Sequence, residues 1–132
     1  MAKADVEVLR DHYAATNARD WKRVMSDYAE DVELIVPGGT LRSGTFTGKD
    51  EVGEWFGDWL RTFDRDLRFE ILEISELDDG SILLVAANRA RGRASGIEVE
   101  MPVFWRYWLR DGKIVRLRGF ESRDRAMVGE ER

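Results

Sequence analysis

The chain is 132 residues long, 43% hydrophobic and 36% charged, with a net charge of -5 at neutral pH. That length predicts one domain spanning residues 1–132, able to bury about 68% of the surface that its unfolded form exposes. The acidic balance argues against nucleic-acid or anionic-membrane binding, which need a basic surface. The lack of cysteine rules out disulfides, thiolate catalysis and cysteine metal sites. The first residues, Met1 to Glu7, contain no apolar signal region, and no apolar run approaches membrane-spanning length, so a cytoplasmic protein is expected.

Val6, Leu9, Tyr13, Thr16 and Asn17 recur at helical spacing, predicting an amphipathic helix over about Asp5 to Ala18. Asp20 suits the N-cap of a second helix carrying Trp21, Val24, Met25 and Tyr28. Asp31 to Val36 alternates as a short strand that stops at Pro37-Gly38-Gly39. Leu41 to Gly48 reads as a loop or short hairpin. Asp50 is placed as the cap of a third helix with Val52, Trp55, Phe56, Trp59, Leu60 and Phe63 on its apolar face.

Leu67 to Leu77 begins a sheet, and three further β-segments follow: Ser81 to Arg91, Glu98 to Leu109 and Lys113 to Glu121. Asp79-Gly80, Ser95-Gly96 and Asp111-Gly112 punctuate them with the residues that hairpin turns require. Pro102 suggests a bulge that would curve the sheet. The tail from Ser122 is charged and reads as frayed. The predicted fold class is α+β: a cone-shaped, strongly curved antiparallel sheet whose concave face is covered by three N-terminal helices.

Four stretches carry a family resemblance: Tyr13-Ala-Ala-Thr-Asn-Ala-Arg-Asp-Trp21, Ala29-Glu-Asp-Val-Glu-Leu34, Gly44 with Gly48-Lys-Asp50, and Asp111-Gly-Lys-Ile-Val115. Together they resemble the SnoaL-like branch of the nuclear-transport-factor-2-like superfamily, over roughly Val6 to Met127. That superfamily holds ketosteroid isomerases, polyketide cyclases, epoxide hydrolases, dehydratases and non-enzymatic binders, so the resemblance implies a fold more than a reaction. Set against the isomerases, the strand-end general-base Asp is replaced by Val36, the oxyanion Asp falls near Trp105 and the oxyanion Tyr falls on His12. Isomerase machinery is therefore not expected.

Alternation gives the Glu98 segment an apolar face of Val99, Met101, Val103, Trp105, Tyr107 and Leu109, placed inward. Leu84, Ala86, Asn88 and Ala90 join it from one neighbour, and Val115, Leu117, Gly119 and Glu121 from the other. The resulting apolar pocket, with a few polar groups, has the composition of a small-molecule site. The expected ligand-binding set is Tyr13, Trp55, Trp59, Asn88, Met101, Trp105, Tyr107, Leu117 and Glu121, for a small apolar or aromatic molecule. His12, Tyr13 and Tyr107 are the candidates for proton transfer, although a core-edge or half-exposed histidine is the plainer reading of His12. Asn88 stands out because a buried amide needs a partner. No cofactor is expected. One histidine and no cysteine make no metal site, and Gly38-Gly39 lacks the helix and lysine of a phosphate loop. On the opposite face Arg89, Arg91, Arg106, Arg116 and Arg118 alternate with Glu98 and Glu100. Phe104 and Trp108 among them point to a homodimer through the outer sheet face. The readings left open are a small-molecule binder, a proton-transfer enzyme (isomerase, cyclase or dehydratase) and a partner-binding module.

Overall fold

The structure is a computed structural model and describes residues 4–38, 43–61, 67–91 and 96–129. Helix α1 runs Asp5–Asn17, α2 Trp21–Ser26, α3 Lys49–Arg61 and α4 Arg123–Val128. The strands are β1 Tyr28–Val36, β2 Gly44–Thr47, β3 Arg68–Glu76, β4 Ile82–Arg91, β5 Glu98–Arg110 and β6 Lys113–Phe120. They form one curved sheet in the order β2-β1-β6-β5-β4-β3. All neighbours are antiparallel except β1 and β6, which run parallel. The antiparallel expectation therefore holds for the hairpin-connected strands. It fails where a strand from the N-terminal half joins the last strand of the chain.

The turns at Asp79-Gly80 and Asp111-Gly112 form as expected, while Ser95 lies outside the described residues. Asp111 and Gly112 both take positive φ, 52° and 76°, the requirement of a two-residue type I′ hairpin, and Arg110 pairs with Lys113 across it. Pro102, by contrast, makes no bulge. It pairs with Ala87 in unbroken register, at a stretch where β5 has outrun β6 and lacks a neighbour on that side. The register breaks fall instead between Ile71 and Glu73 on β3, between Trp108 and Leu109 on β5 and between Tyr28 and Glu33 on β1. The second break brings Ile114 opposite Leu109 and into the inner core, the role expected of Val115.

Helix α3 packs on the concave side as its spacing predicts: Val52 and Trp55 enter the main core, with Phe56 and Trp59 against it. Asp50 lies inside its first turn rather than at the cap; Gly48 supplies the carbonyl that accepts from Val52 N–H. Phe63 lies outside the described residues. Helix α2 is capped by Asp20, whose side chain accepts from Arg23 N–H, but it ends at Ser26, so Tyr28 opens β1 instead of lying on a helical stripe.

The largest departure is at the C-terminus. Residues expected to fray form α4, capped by the Ser122 side chain and closed by Gly129 in the left-handed region at φ 73°. A methyl group at Gly129 would also press on the Arg106 guanidinium, a second reason that favours glycine there. Ala126 of α4 completes a small outer core with Leu83, Val85 and Phe120, and Leu77 and Phe104 pack against it.

Candidate functional site

The concave face, α1 and α3 line a half-open cavity of about 1260 Å³. Its wall is a continuous run of aromatic contacts. Trp55 meets Phe56 edge-on at 4.9 Å, Phe56 meets Trp105 at 6.3 Å, and Trp105 meets Tyr107 at 6.3 Å. On the other flank Tyr13 meets Phe69 at 6.3 Å, and Trp59 meets Phe69 at 6.0 Å. The sequence produces this wall by stacking two periodicities: every third or fourth residue of α3 and every second residue of β5. Gly119 on β6 keeps the wall close. A side chain there would press within 3.2 Å of Pro37 and 3.4 Å of Trp105.

Two polar pairs interrupt the apolar lining. Tyr13 and Tyr107 join hydroxyl to hydroxyl at 3.0 Å, one from α1 and one from β5. Burial pushes the Tyr13 hydroxyl up to about 12, with the Tyr107 bond pulling the other way; burial and the Tyr13 hydroxyl raise Tyr107 well above its usual range. Both are neutral phenols, able to donate to an oxygen placed between them.

His12 is buried, not half-exposed, and its Nδ1 lies 2.9 Å from Asp27 Oδ2. Burial raises the Asp27 carboxyl, but the hydrogen bond and charge of His12, with Arg23 Nε at 3.4 Å from Oδ1, outweigh it and hold the group below its ordinary value. An ionised carboxylate can only accept, so His12 Nδ1 carries the proton that it donates. In the neutral ring Nε2 is then the lone-pair nitrogen. No hydrogen-bond partner for Nε2 exists among the described residues. Tyr28 lies edge-on to the ring at 5.3 Å, its own hydroxyl pushed up chiefly by burial.

The other predicted residues divide. Tyr13, Trp55, Trp59, Asn88, Trp105, Tyr107 and Glu121 all line the cavity, Glu121 from an exposed position. Leu117 is fully buried in the core beneath it, and Met101 is half-buried beside Asn88 without contributing to the described lining. Val36 and Trp105, expected at the positions of the isomerase acids, line the cavity and bring no carboxyl group to it. Sequence reasoning missed Asp27 as the partner of His12, and Tyr28, Phe69 and Arg19 in the lining. The available signal for Asp27 was an acid just before a strand; assigning Tyr28 to the preceding helix concealed it. Among the described residues no three His, Asp or Glu side chains group closely enough to hold a metal ion.

Comparison with known proteins agrees with this architecture. A sequence model of the SnoaL-like domain matches residues 9–117. An uncharacterized protein of Mycobacterium tuberculosis is 27% identical over 117 residues, spanning 89% of this chain and 88% of its own. Among solved structures, Bal32a from a soil-derived mobile gene cassette superposes with a TM-score of 0.78 at 21% identity, covering 90% of this chain and 89% of its own. RV0760c from M. tuberculosis, in complex with estradiol-17beta-hemisuccinate, superposes with a TM-score of 0.74 at 20% identity, over 94% of this chain and 97% of its own.

Proposed function

The chain belongs to the SnoaL-like domain family, and we propose that it binds a small, flat, largely apolar ring molecule in the concave cavity. The observation that carries this reading is the buried Tyr13–Tyr107 hydroxyl pair set in an aromatic wall. Such a wall rewards apolar area, at about 25 cal/mol for each Å² removed from water. Two neutral phenols fix the orientation of one ligand oxygen. A multi-ring molecule of the kind bound by the M. tuberculosis neighbour has this chemistry.

The test is a melting-temperature titration with a stilbene bearing one terminal hydroxyl. A hundredfold excess over Kd stabilises the native state by about 2.7 kcal/mol. Tyr107→Phe should reduce the response at a fixed concentration. An unchanged response in the variant, or none in the wild type, contradicts the reading.

A second reading, proton transfer, is favoured by the His12–Asp27 pair, whose geometry aligns an imidazole as Asp–His pairs do in general-base catalysis. Its test is deuterium uptake at the carbon beside the carbonyl of a ring ketone in heavy water, present in the wild type and lost in His12→Gln. A homodimer through the outer face belongs to the same proposal and rests on Phe104 and Trp108, both half-buried, with the α4 cluster packing against part of Phe104. Sedimentation of the wild type and Trp108→Glu decides it; a monomer at every concentration contradicts it. We place the protein in the cytoplasm, where a cysteine-free chain meets no redox constraint; cell fractionation checks this.

A further inference from the structure

The inward row of β4 is Ile82, Leu84, Ala86, Asn88 and Ala90, all buried. Asn88 is its one polar member. It is 3% exposed, lines the cavity, and its Oδ1 has no hydrogen-bond partner. No described residue bonds its Nδ2 either. The surroundings explain why. Across the sheet its register partners are Phe69 and Met101, both apolar. The Phe69 backbone N–H and C=O are already taken by the side chain of Asn17, each at 2.9 Å. Tyr13, whose ring packs on Phe69, shares its hydroxyl with Tyr107. A leucine, with the same branching and the same number of side-chain heavy atoms, would occupy this position without stranding a carboxamide in an apolar wall.

The geometry points to Asn88 as a second polar anchor of the cavity, which hydrogen-bonds a second hydroxyl of the ligand. This rests on reading the cavity as a site for a ring molecule, and it narrows the class. Tyr107 sits opposite Ile82 and Asn88 opposite Met101 and Phe69, so the two anchors rise from different stretches of the inner face, with the Tyr13 ring packed on Phe69 between them. The ligand therefore carries two separate oxygen functions, with apolar surface for Trp55, Trp105 and Phe69. A hydroxyl suits the carboxamide whichever way the amide is turned, because it donates to Oδ1 and accepts from Nδ2.

Three probes and two variants test this. Stilbenes carrying a hydroxyl at both ends, at one end or at neither are titrated against the wild type, Asn88→Leu and Asn88→Ala by quenching of tryptophan fluorescence. Melting temperatures are measured without ligand. The wild type should bind the dihydroxy probe about three- to tenfold tighter than the monohydroxy probe, the worth of one neutral hydrogen bond. Both variants should melt cooperatively, which shows that they fold, and should bind the two probes equally. Equal affinities in the wild type, or a preference that survives in both variants, overturns the Asn88 assignment while leaving the cavity reading intact. Failure of all three probes to bind the wild type overturns the cavity reading, and the Asn88 assignment with it.

Discussion

The two faces of the sheet treat their buried polar groups in opposite ways. On the convex face Arg106 is 8% exposed, yet its guanidinium is well occupied: Nε donates to Ser81 Oγ, Nη1 to the last carbonyls of α4 at Ala126 and Met127, and Nη2 to Asp79. Trp108 lies between Arg106 and Arg116, with cations at 5.5 and 4.9 Å from its ring. On the concave face a wall of aromatics surrounds an unbonded carboxamide, a phenol pair and an imidazole with one engaged nitrogen. On one face the chain itself satisfies the buried Arg106, and on the other it keeps polar groups at a cost in stability. A fold accepts that cost where something else makes use of the groups.

Breaking the closed face should have the largest effect. Arg106→Ala strands two helix-end carbonyls and should cost about 3 kcal/mol, read as a lower urea midpoint with faster amide exchange over residues 123–128. If exchange there is unchanged, Arg106 does not hold α4. Next comes the His12–Asp27 pair. Asp27→Ala leaves a buried donor without its acceptor, at about 1–3 kcal/mol.

The same pair makes stability depend on acid. The Asp27 carboxyl is held below its ordinary value in the folded chain, so its contribution is complete above the usual carboxylate pKa. It is lost as pH falls through the lower, folded value. Asp27→Asn should flatten that part of a stability–pH curve, and a variant curve parallel to the wild type would contradict the pairing. Tyr107→Phe, which leaves Tyr13 without its hydroxyl partner, should cost about 1 kcal/mol in the unliganded protein by urea denaturation. The smallest expected effect is none: with Val36 in place of an acid, a β,γ-unsaturated ketosteroid should not be isomerised, as following absorbance of the conjugated product would show.

The concave face was largely legible in the sequence because periodicity is a local signal. The alternation of Val103, Trp105 and Tyr107 and the spacing of Val52, Trp55, Phe56 and Trp59 each fix a face without knowledge of any partner. Asn88 was legible on the same ground, as one polar residue in an apolar row. What stayed hidden depends on long-range pairing. The His12–Asp27 bond spans fifteen residues and exists because α2 ends early enough to turn Asp27 toward α1. The α4 helix is six residues long and strongly charged, and it holds its place through Arg106 and the apolar contact of Ala126. Neither partner leaves a mark in the local pattern.

The most direct measurement of the central claim follows the indole N–H resonances as the monohydroxy stilbene is added. Trp55, Trp59 and Trp105 line the cavity, as does the exposed Trp21, and Trp108 lies on the convex face between its two arginines, an internal control. The account predicts saturable shifts of the first three, at one probe per chain, while Trp108 stays in place. Shifts confined to Trp108, or no shift in the cavity tryptophans at saturating probe, would contradict it.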